Sequence, residues 1–282
     1  MHSEIFRAAT AVEAVGPPPD GARGSVGRFS ATVPPKWDVV GNTNGGYLQA
    51  LAARAGSRAA EGRPPASVTT HYLSPVRPGP VLIDTVVHKR GNRFTTVSIT
   101  VREAEGEERP LLQTIGSFGE AGVVDGIEHS LIEPPTIPSP DDCTPVPGGD
   151  LFPPPLMYQL ELRVHPDDAA FTAGRLSFEG WVRLHGDEPI TRLALLLFTD
   201  VFPPTAFNAQ LPVAWAPTIE LTTHVRGVPR QGWIQCRFSG HHVADGLMAE
   251  DGELWDETGR LVAQSRQLAM VPDAERGDAG AA

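Results

Sequence analysis

Asp200 is the residue of this sequence whose surroundings best suit acid–base chemistry. It comes two positions after Leu193–Phe198, an apolar run with the character of a helix buried on every side. Burial disfavours the charged form of a carboxyl group, so it raises the pKa and makes the carboxylate a stronger base. Asp200 is therefore a candidate general base, but its local sequence by itself fits an acid that ends a helix and points to water better.

The two halves of the chain resemble each other. Thr69-Thr70-His71 recurs later as Thr222-Thr223-His224, and Gly79 recurs at the same spacing as Gly232. Chance similarity of threonine-rich strands is the alternative explanation. Because the order and spacing of several features agree, we interpret the halves as two copies of one structural unit.

Each half carries the pattern of one helix and several strands. The first half predicts a helix over Gly45–Ala60, a turn at Gly91-Asn92, and strands over Arg28–Val33, Ser67–Leu73, Val81–Arg90, Phe94–Glu103 and Leu111–Phe118. The second half predicts a helix body at Leu193–Phe198 that starts near Asp187 and Pro189, strands over Leu176–Leu184, Ile219–Val225 and Trp233–Phe238, and hairpin turns at Asp251-Gly252 and Gly259. A curved antiparallel sheet around each helix would satisfy both patterns, which places the chain in the α+β class.

The second half holds polar residues that the first half lacks at corresponding positions. The first helix has no Asp or Glu, while Thr218 corresponds to Pro65 and Gln267 corresponds to Ser117. This asymmetry is expected if one copy keeps a polar site containing Asp200, Thr218 and Gln267 and the other copy supplies walls. Ordinary drift between duplicated halves is the competing explanation.

The charge balance excludes several classes of function. The 282 residues include 23 Lys and Arg against 34 Asp and Glu, which gives a formal net charge of −11. Nucleic acids and anionic membrane surfaces both bind clustered basic residues, so neither is an expected partner. No apolar run approaches the roughly 18 residues of a membrane-spanning helix, and the N-terminus has no signal layout, so we expect no membrane insertion. The two cysteines have no disulfide or zinc-site spacing, so we expect a reducing, cytoplasmic location.

Familiar catalytic and cofactor motifs are missing. The sequence has no GxSxG nucleophile motif, no GxxxxGK[ST] phosphate loop, no GxGxxG dinucleotide motif and no HExxH pair. Cys143 and Cys236 have no CxxC spacing, and the adjacent His241 and His242 would point to opposite faces of a strand. We therefore expect no cofactor, no metal site and no disulfide framework.

A proline-rich stretch separates the two halves. Nine prolines fall between Pro134 and Pro155, where fixed φ angles and missing N–H donors disfavour helices and central strands. The expected organisation is an N-terminal repeat over 1–119, an extended linker over 120–155, a C-terminal repeat with the catalytic residues over 156–272, and a flexible tail over 273–282.

Short motifs occur in a specific order along both halves. The first half carries Gly45-Gly46-Tyr47, Thr70-His71-Tyr72-Leu73, Pro78-Gly79 and Arg90-Gly91-Asn92. The second half carries Trp215, Pro217-Thr218, Gly232-Trp233, the stretch 251–256 (DGELWD) and the stretch 262–267 (VAQSRQ). In order and spacing these motifs resemble the acyl-CoA thioesterase II family, also called TesB-like, over nearly the whole chain outside the linker and tail.

The resemblance implies a fold, an activity and a site. The fold is a double hotdog, in which each repeat wraps an antiparallel sheet around a central helix and the two sheets join edge to edge. The implied activity is hydrolysis of acyl-CoA to free fatty acid and coenzyme A. Asp200, Thr218 and Gln267 match the Asp, Thr and Gln that orient and activate the hydrolytic water in that family. A homodimer or larger homo-oligomer is implied by the same resemblance.

Two further groups of residues are candidates for substrate binding. Gly45-Gly46-Tyr47 opens the first helix, where free N–H groups and the helix dipole suit an oxyanion, although a plain helix-start turn would look the same. Coenzyme A is anionic, so an acidic protein needs a local basic patch to bind it. Arg90 and Arg93 form one candidate patch, Arg226 and Arg230 form another, and solvated hairpin ends would look similar.

Two other functions stay open at the level of sequence. A non-catalytic protein that binds acyl-CoA or an acylated carrier protein would share the fold, and replacing Asp200 would leave its affinity largely intact. A scaffold built from hotdog repeats would associate stably without binding or hydrolysing a thioester. The acyl chain length is open as well, because the proline-rich linker could change access to the acyl channel.

Overall fold

The computed structural model describes residues 5–16, 22–105, 109–120, 129–149, 153–186, 188–211 and 216–271. The helices in these ranges are α1 (Ile5–Ala9), α2 (Gly45–Ala59), α3 (Arg192–Phe198) and α4 (Thr205–Asn208). Short 3₁₀ helices cover Pro140–Asp142, Pro155–Tyr158 and Pro166–Asp168. None of the helices found in this part of the chain is long and apolar enough to cross a membrane.

The described strands form one large antiparallel sheet and a small hairpin. The strands of the first half are β1 (Glu13–Ala14), β2 (Val26–Val33), β3 (Asp38–Val39), β4 (Asn42–Thr43), β5 (Pro65–Tyr72), β6 (Gly79–Arg90), β7 (Phe94–Glu103) and β8 (Pro110–Gly119). Those of the second half are β9 (Thr144–Val146), β10 (Leu160–Val164), β11 (Ser177–Leu184), β12 (Thr218–Val225), β13 (Ile234–Ala244), β14 (Leu247–Asp256) and β15 (Leu261–Met270). The large sheet has the order β1-β2-β6-β7-β8-β5-β12-β15-β14-β13-β11-β10-β9, and β3 pairs with β4.

The strand order is the same in both halves when it is followed outward from their junction. The first half has the order β5-β8-β7-β6-β2, and the second has the order β12-β15-β14-β13-β11. The halves join where β5 pairs with β12, and Thr69 lies opposite its own sequence counterpart Thr222 with the two Oγ1 atoms hydrogen-bonded at 2.9 Å. The predicted two-copy α+β architecture is confirmed.

Each half packs its sheet against a buried helix. α2 starts after Asn44, whose side chain accepts the Tyr47 N–H, and most of its Ala and Leu side chains are buried. In α3 every residue of Leu193–Phe198 is buried, as its apolar sequence predicts. The predicted start of this helix is wrong, because Pro189 precedes it and the N-cap is Thr191. Asp187, the other predicted start residue, lies outside the described residues.

The hairpin turn between β13 and β14 lies at Asp245-Gly246, and the prediction of a turn at Asp251-Gly252 is wrong. Asp245 and Gly246 have φ angles of 53° and 74°, as a two-residue type I′ turn requires. Gly252 lies instead within β14, where a Cβ atom would meet the Phe238 ring at 2.7 Å. Packing inside the sheet therefore explains this glycine, while the predicted turn at Gly259 is confirmed between β14 and β15.

The proline-rich segment packs against the second half. β9 adds an edge strand beside β10, which is a position where proline is tolerated. Trp181 Nε1 donates to Pro138 O at 2.9 Å, and Gln235 Nε2 donates to Pro135 O at 2.6 Å. The described part of the linker is therefore extended but bound to the sheet. Residues 121–128 and 150–152 of the predicted linker, Trp215 and the predicted tail 273–282 lie outside the described residues.

Candidate active site

Asp200 lies where the two central helices meet. It follows Thr199, the C-cap of α3, and faces the first turn of α2. Asp200 Oδ2 accepts hydrogen bonds from the Gly46 backbone N–H at 2.9 Å and from Asn44 Nδ2 at 3.0 Å. A carboxylate of the second repeat therefore lies at the N-terminus of the first repeat's helix, where the helix dipole favours negative charge.

Thr218 and Gln267 lie beside Asp200. Gln267 Nε2 donates to Asp200 Oδ1 at 3.1 Å and also to Thr218 Oγ1. Thr218 begins β12 and Gln267 lies in the adjacent β15, so the strand pairing brings the two together, and the bond from Gln267 to Asp200 places them at the end of α3. The structure thus brings together three residues that were predicted to form one polar site.

Burial dominates the electrostatics of Asp200. It raises the pKa of the carboxyl group from 3.8 to about 6, while hydrogen bonds from Gly46, Gln267, Gly45 and Asn44 act in the opposite direction. With a pKa just below neutrality, the group is mostly ionised at pH 7 and is a stronger base than a solvated aspartate. This environment suits proton transfer.

Gly45 and Gly46 allow α2 to approach Asp200 closely. A Cβ atom at Gly46 would lie 2.6 Å from Leu197 O and 2.9 Å from Asp200 Cβ, and one at Gly45 would lie 2.9 Å from Asp200 Oδ2. The Tyr72 hydroxyl donates to Gly45 O at 2.8 Å and supports this turn. The glycines are therefore required by close packing at the site.

Two residues that support the site were missed by the sequence analysis. Asn44 binds the carboxylate and the backbone oxygen of Asp200, and Tyr72 binds Gly45. Asn44 had a signal in the sequence, because asparagine before a predicted helix is a preferred N-cap. Tyr72 occurred in the sequence only within one of the family motifs, and its contact with Gly45 depends on how β5 packs against α2.

The N–H groups at the start of α2 are engaged. Gly46 donates to Asp200, and Tyr47 donates to Asn44 Oδ1 at 2.9 Å. The Tyr47 side chain is fully buried and stacks on Trp37 with ring centroids 5.0 Å apart. Tyr47 therefore lies in the core, whereas the Gly46 N–H is bonded to the polar cluster.

The predicted basic patch lies far from this cluster. Arg90 Nη1 donates to Glu61 Oε1 at 2.6 Å, and Glu61 follows the C-cap of α2. Because α2 has 15 residues and rises about 1.5 Å per residue, its ends are about 22 Å apart. Arg93 lies in the turn after Arg90, and neither arginine lines the cavity beside Asp200.

An apolar cavity of about 560 Å³ opens beside the polar cluster. This volume lies within the roughly 300–1,000 Å³ of small-molecule sites. Its wall comes from both repeats and from the proline-rich segment, and includes Val39, Leu48, Val146, Leu156, Met157, Leu162, Phe171 and Phe202. Such a cavity suits an apolar chain whose reactive end lies at the polar cluster.

Among the described residues, no group of three or more His, Cys, Asp and Glu side chains is arranged to hold a metal ion.

Family comparison matches both halves of the chain. Residues 33–119 match the acyl-CoA thioesterase N-terminal domain, and residues 140–271 match the acyl-CoA thioesterase C-terminal domain. The chain belongs to the acyl-CoA thioesterase family. The family resemblance predicted from the motifs is confirmed.

Individual relatives of this acyl-CoA thioesterase family member span nearly its whole length. The uncharacterized protein Rv0499 of Mycobacterium tuberculosis is 26% identical in an alignment that covers 86% of this chain and 91% of that protein. A solved candidate thioesterase II from Thermobifida fusca YX is 30% identical, with a TM-score of 0.82 over 96% of this chain and 99% of its own. A hot dog fold protein of unknown function from Alicyclobacillus acidocaldarius is 19% identical, with a TM-score of 0.79 over 95% and 97%. The predicted double hotdog fold is therefore confirmed.

Proposed function

We propose that this protein hydrolyses acyl-CoA to a free fatty acid and coenzyme A. The observation that carries the proposal is the hydrogen-bonded cluster of Asp200, Gln267 and Thr218 at the wall of an apolar cavity. Membership of the acyl-CoA thioesterase family supports a thioester as the substrate.

In the proposed mechanism, Asp200 accepts a proton from a water molecule that Thr218 and Gln267 also bind. The water oxygen forms a bond to the carbonyl carbon of the thioester. The C–S bond then breaks, the acyl group leaves as a carboxylic acid, and the sulfur of coenzyme A takes the proton from Asp200. No covalent enzyme intermediate forms, and general-base assistance of this kind contributes about 10²- to 10⁴-fold.

The N-terminus of α2 is proposed to stabilise the carbonyl oxygen as it becomes negative. In the free protein the Gly46 N–H is bonded to the Asp200 carboxylate. Hydrogen bonds to ionised acceptors are stronger than those to neutral ones, so protonation of Asp200 weakens this bond while charge grows on the substrate oxygen. The donor can therefore transfer its interaction to the substrate, and loss of such a donor costs about 2.7–4 kcal/mol in another hydrolase.

The test is thiol release from acyl-CoAs of increasing chain length, with wild type and Asp200→Asn side by side. The variant should lose about 10²-fold or more in rate. Asp167→Asn is the matched control, because the Asp167 side chain is exposed to solvent and outside the cavity wall, so the substitution should leave turnover unchanged. If turnover in Asp200→Asn equals that of wild type, the assigned base is wrong.

Absence of thiol release from every acyl-CoA would favour the alternative function of a non-catalytic acyl-CoA or acyl-carrier-protein binding protein. Calorimetry with the same acyl-CoAs would then show binding that Asp200→Asn leaves intact.

A homodimer or larger homo-oligomer and a cytoplasmic location stay predictions, which sedimentation and cell fractionation would test.

A further inference from the structure

A second carboxyl group, that of Glu250, lines the cavity beside the catalytic cluster. Glu250 lies in β14 directly opposite Gln267 in β15, and its side chain is only 6% exposed. Residues opposite each other on adjacent strands have Cβ atoms about 4.5–5.5 Å apart on the same face. Since Thr218 belongs to β12 on the other side of β15, Glu250 flanks Gln267 on the side away from Thr218. The proposed hydrolysis does not use this carboxyl group.

Thr205 accounts for only part of the hydrogen-bonding capacity of Glu250. Glu250 Oε2 accepts the Thr205 backbone N–H at 2.9 Å. Gly240 lies opposite Glu250 in β13, and its missing side chain leaves room for Thr205, since a Cβ there would lie 2.8 Å from Thr205 Oγ1. Thr205 can offer its N–H and its hydroxyl, whereas an ionised carboxylate has about four acceptor sites. The Glu250 carboxylate can therefore accept a hydrogen bond from a further partner.

The charge state of Glu250 is set by the apolar wall around it. Burial raises its pKa to about 7, hydrogen bonds from Thr205 lower it, and the nearby Asp200 and Asp251 raise it again. Both the protonated and the ionised forms are therefore populated near neutral pH. A buried polar group without a full set of partners is costly, so a ligand group that completes the set is favoured over an apolar one.

We propose that Glu250 makes the site selective for acyl groups that carry a hydroxyl close to the thioester carbonyl. The inference rests on the proposed function, because Gln267 marks the place where the carbonyl is attacked. A hydroxyl both donates and accepts, so it can bind Glu250 in either protonation state. A keto oxygen only accepts, and a methylene group does neither. The cavity wall continues from Gln267 past Glu250 to Leu162 in β10 and Val146 in β9, so an acyl chain that follows this wall passes Glu250 with its first carbons.

The test compares kcat/KM for 2-hydroxyhexanoyl-CoA, 3-hydroxyhexanoyl-CoA and hexanoyl-CoA. Wild type should prefer at least one hydroxylated substrate, and Glu250→Leu should reduce this preference about 10-fold or more, because it removes the buried polar partner. Glu250→Gln should keep the preference, since the amide still accepts from Thr205 and can bind a hydroxyl. Met248→Leu is the control for the shape of the cavity wall, because Met248 lines the same cavity two positions earlier in β14 and its sulfur accepts only a weak hydrogen bond, from Thr205 Oγ1 at 3.6 Å.

A purely structural role for Glu250 gives a different result. Loss of the Thr205 contact in Glu250→Leu would lower kcat/KM for all three substrates equally, and an unchanged preference overturns the inference. A wild type that prefers hexanoyl-CoA also overturns it, while leaving the thioesterase proposal intact.

Failure of the proposed function is distinguishable, because no thiol would be released from any of the three substrates. Calorimetry with ketone analogues, in which a methylene replaces the sulfur, still tests the inference in that case. A hydroxylated analogue should bind wild type more tightly than the plain analogue and should lose this advantage in Glu250→Leu. Equal affinities of wild type for hydroxylated and plain analogues would overturn the inference.

Discussion

The backbone N–H of Gly46 lies 2.9 Å from Oδ2 of Asp200, so the start of one central helix touches the residue just beyond the end of the other. Neither repeat contains both partners. The second repeat provides the carboxylate, and the first provides the helix N-terminus that favours its charge. Duplication of the fold therefore creates a junction at which a buried carboxylate can be ionised near neutral pH.

Gly46→Ala should disrupt this junction. The new Cβ would lie 2.6 Å from Leu197 O, so α2 would have to move away from α3. We expect a loss of stability of about 1–3 kcal/mol from overpacking and a large loss of thiol release. Thermal denaturation and the thiol assay check both, with the exposed Arg58→Ala in the same helix as a control expected to stay within about 0.5 kcal/mol of wild type. Wild-type stability and turnover in Gly46→Ala would contradict the close packing.

The pH–rate profile should show an acid limb set by Asp200. Its pKa is about 6, and only the ionised form can accept a proton from water. We therefore expect kcat/KM to rise with pH, to be half-maximal near pH 6 and to level off above about pH 7. Glu250→Gln is the control, because Glu250 has a pKa of about 7 and is the competing candidate for the limb. A limb that vanishes in Glu250→Gln would mean that the base is wrongly assigned.

The same raised pKa predicts how stability depends on pH. Asp200 has a higher pKa in the folded protein than the ordinary 3.8, so its stabilising contribution is present below that value and is lost as the pH rises through about 6. Asparagine does not titrate. As the pH rises from 4 to 7, the unfolding free energy of Asp200→Asn should therefore increase relative to that of wild type. Urea unfolding at several pH values measures this difference. A difference in unfolding free energy that is constant across this range would contradict the raised pKa.

Gln267→Glu should move the acid limb to higher pH. The substitution removes the N–H donor to Asp200 Oδ1 and places a second carboxylate beside it, and like charges disfavour ionisation. The rate at pH 7 should fall, and part of it should return at higher pH. Gln264→Glu is the control in the same strand. Gln264 Oε1 accepts a hydrogen bond from the exposed Arg226, and Gln264 lies outside the cavity wall. A limb that stays near pH 6 in Gln267→Glu would argue against direct contact between Gln267 and the base.

Val146 should influence the acyl chain length. It belongs to β9, which lies five strands from β15, or about 24 Å along the curved sheet at the usual strand spacing. Val146→Trp should fill the part of the cavity that β9 lines and shift the preference to shorter acyl-CoAs, with about 0.8 kcal/mol lost for each excluded methylene. Val146→Ala should shift it the other way. Identical chain-length profiles for both variants and wild type would mean that the acyl chain does not reach the proline-rich segment.

Local structure was largely predictable from the sequence. The bounds of α2, β2, β6 and β7 agree with the predictions to within two residues, because helical and alternating periodicity is carried by neighbouring positions. The hairpin at Asp245-Gly246 was missed because Asp251-Gly252 carries the same turn signal. Strand pairing and the packing of Phe238 against Gly252 decide between the two, and neither is a local property.

By itself, the sequence determined the repeat, the two central helices, the family and the three polar residues Asp200, Thr218 and Gln267. Only the tertiary structure decided that the Gly46 N–H binds Asp200, that the proline-rich segment forms a cavity wall, and that Arg90 lies at the opposite end of α2. It also placed Glu250 opposite Gln267. The physical reason is that periodicity and capping act between neighbours in the chain, whereas strand register and helix contact join residues that are far apart in it.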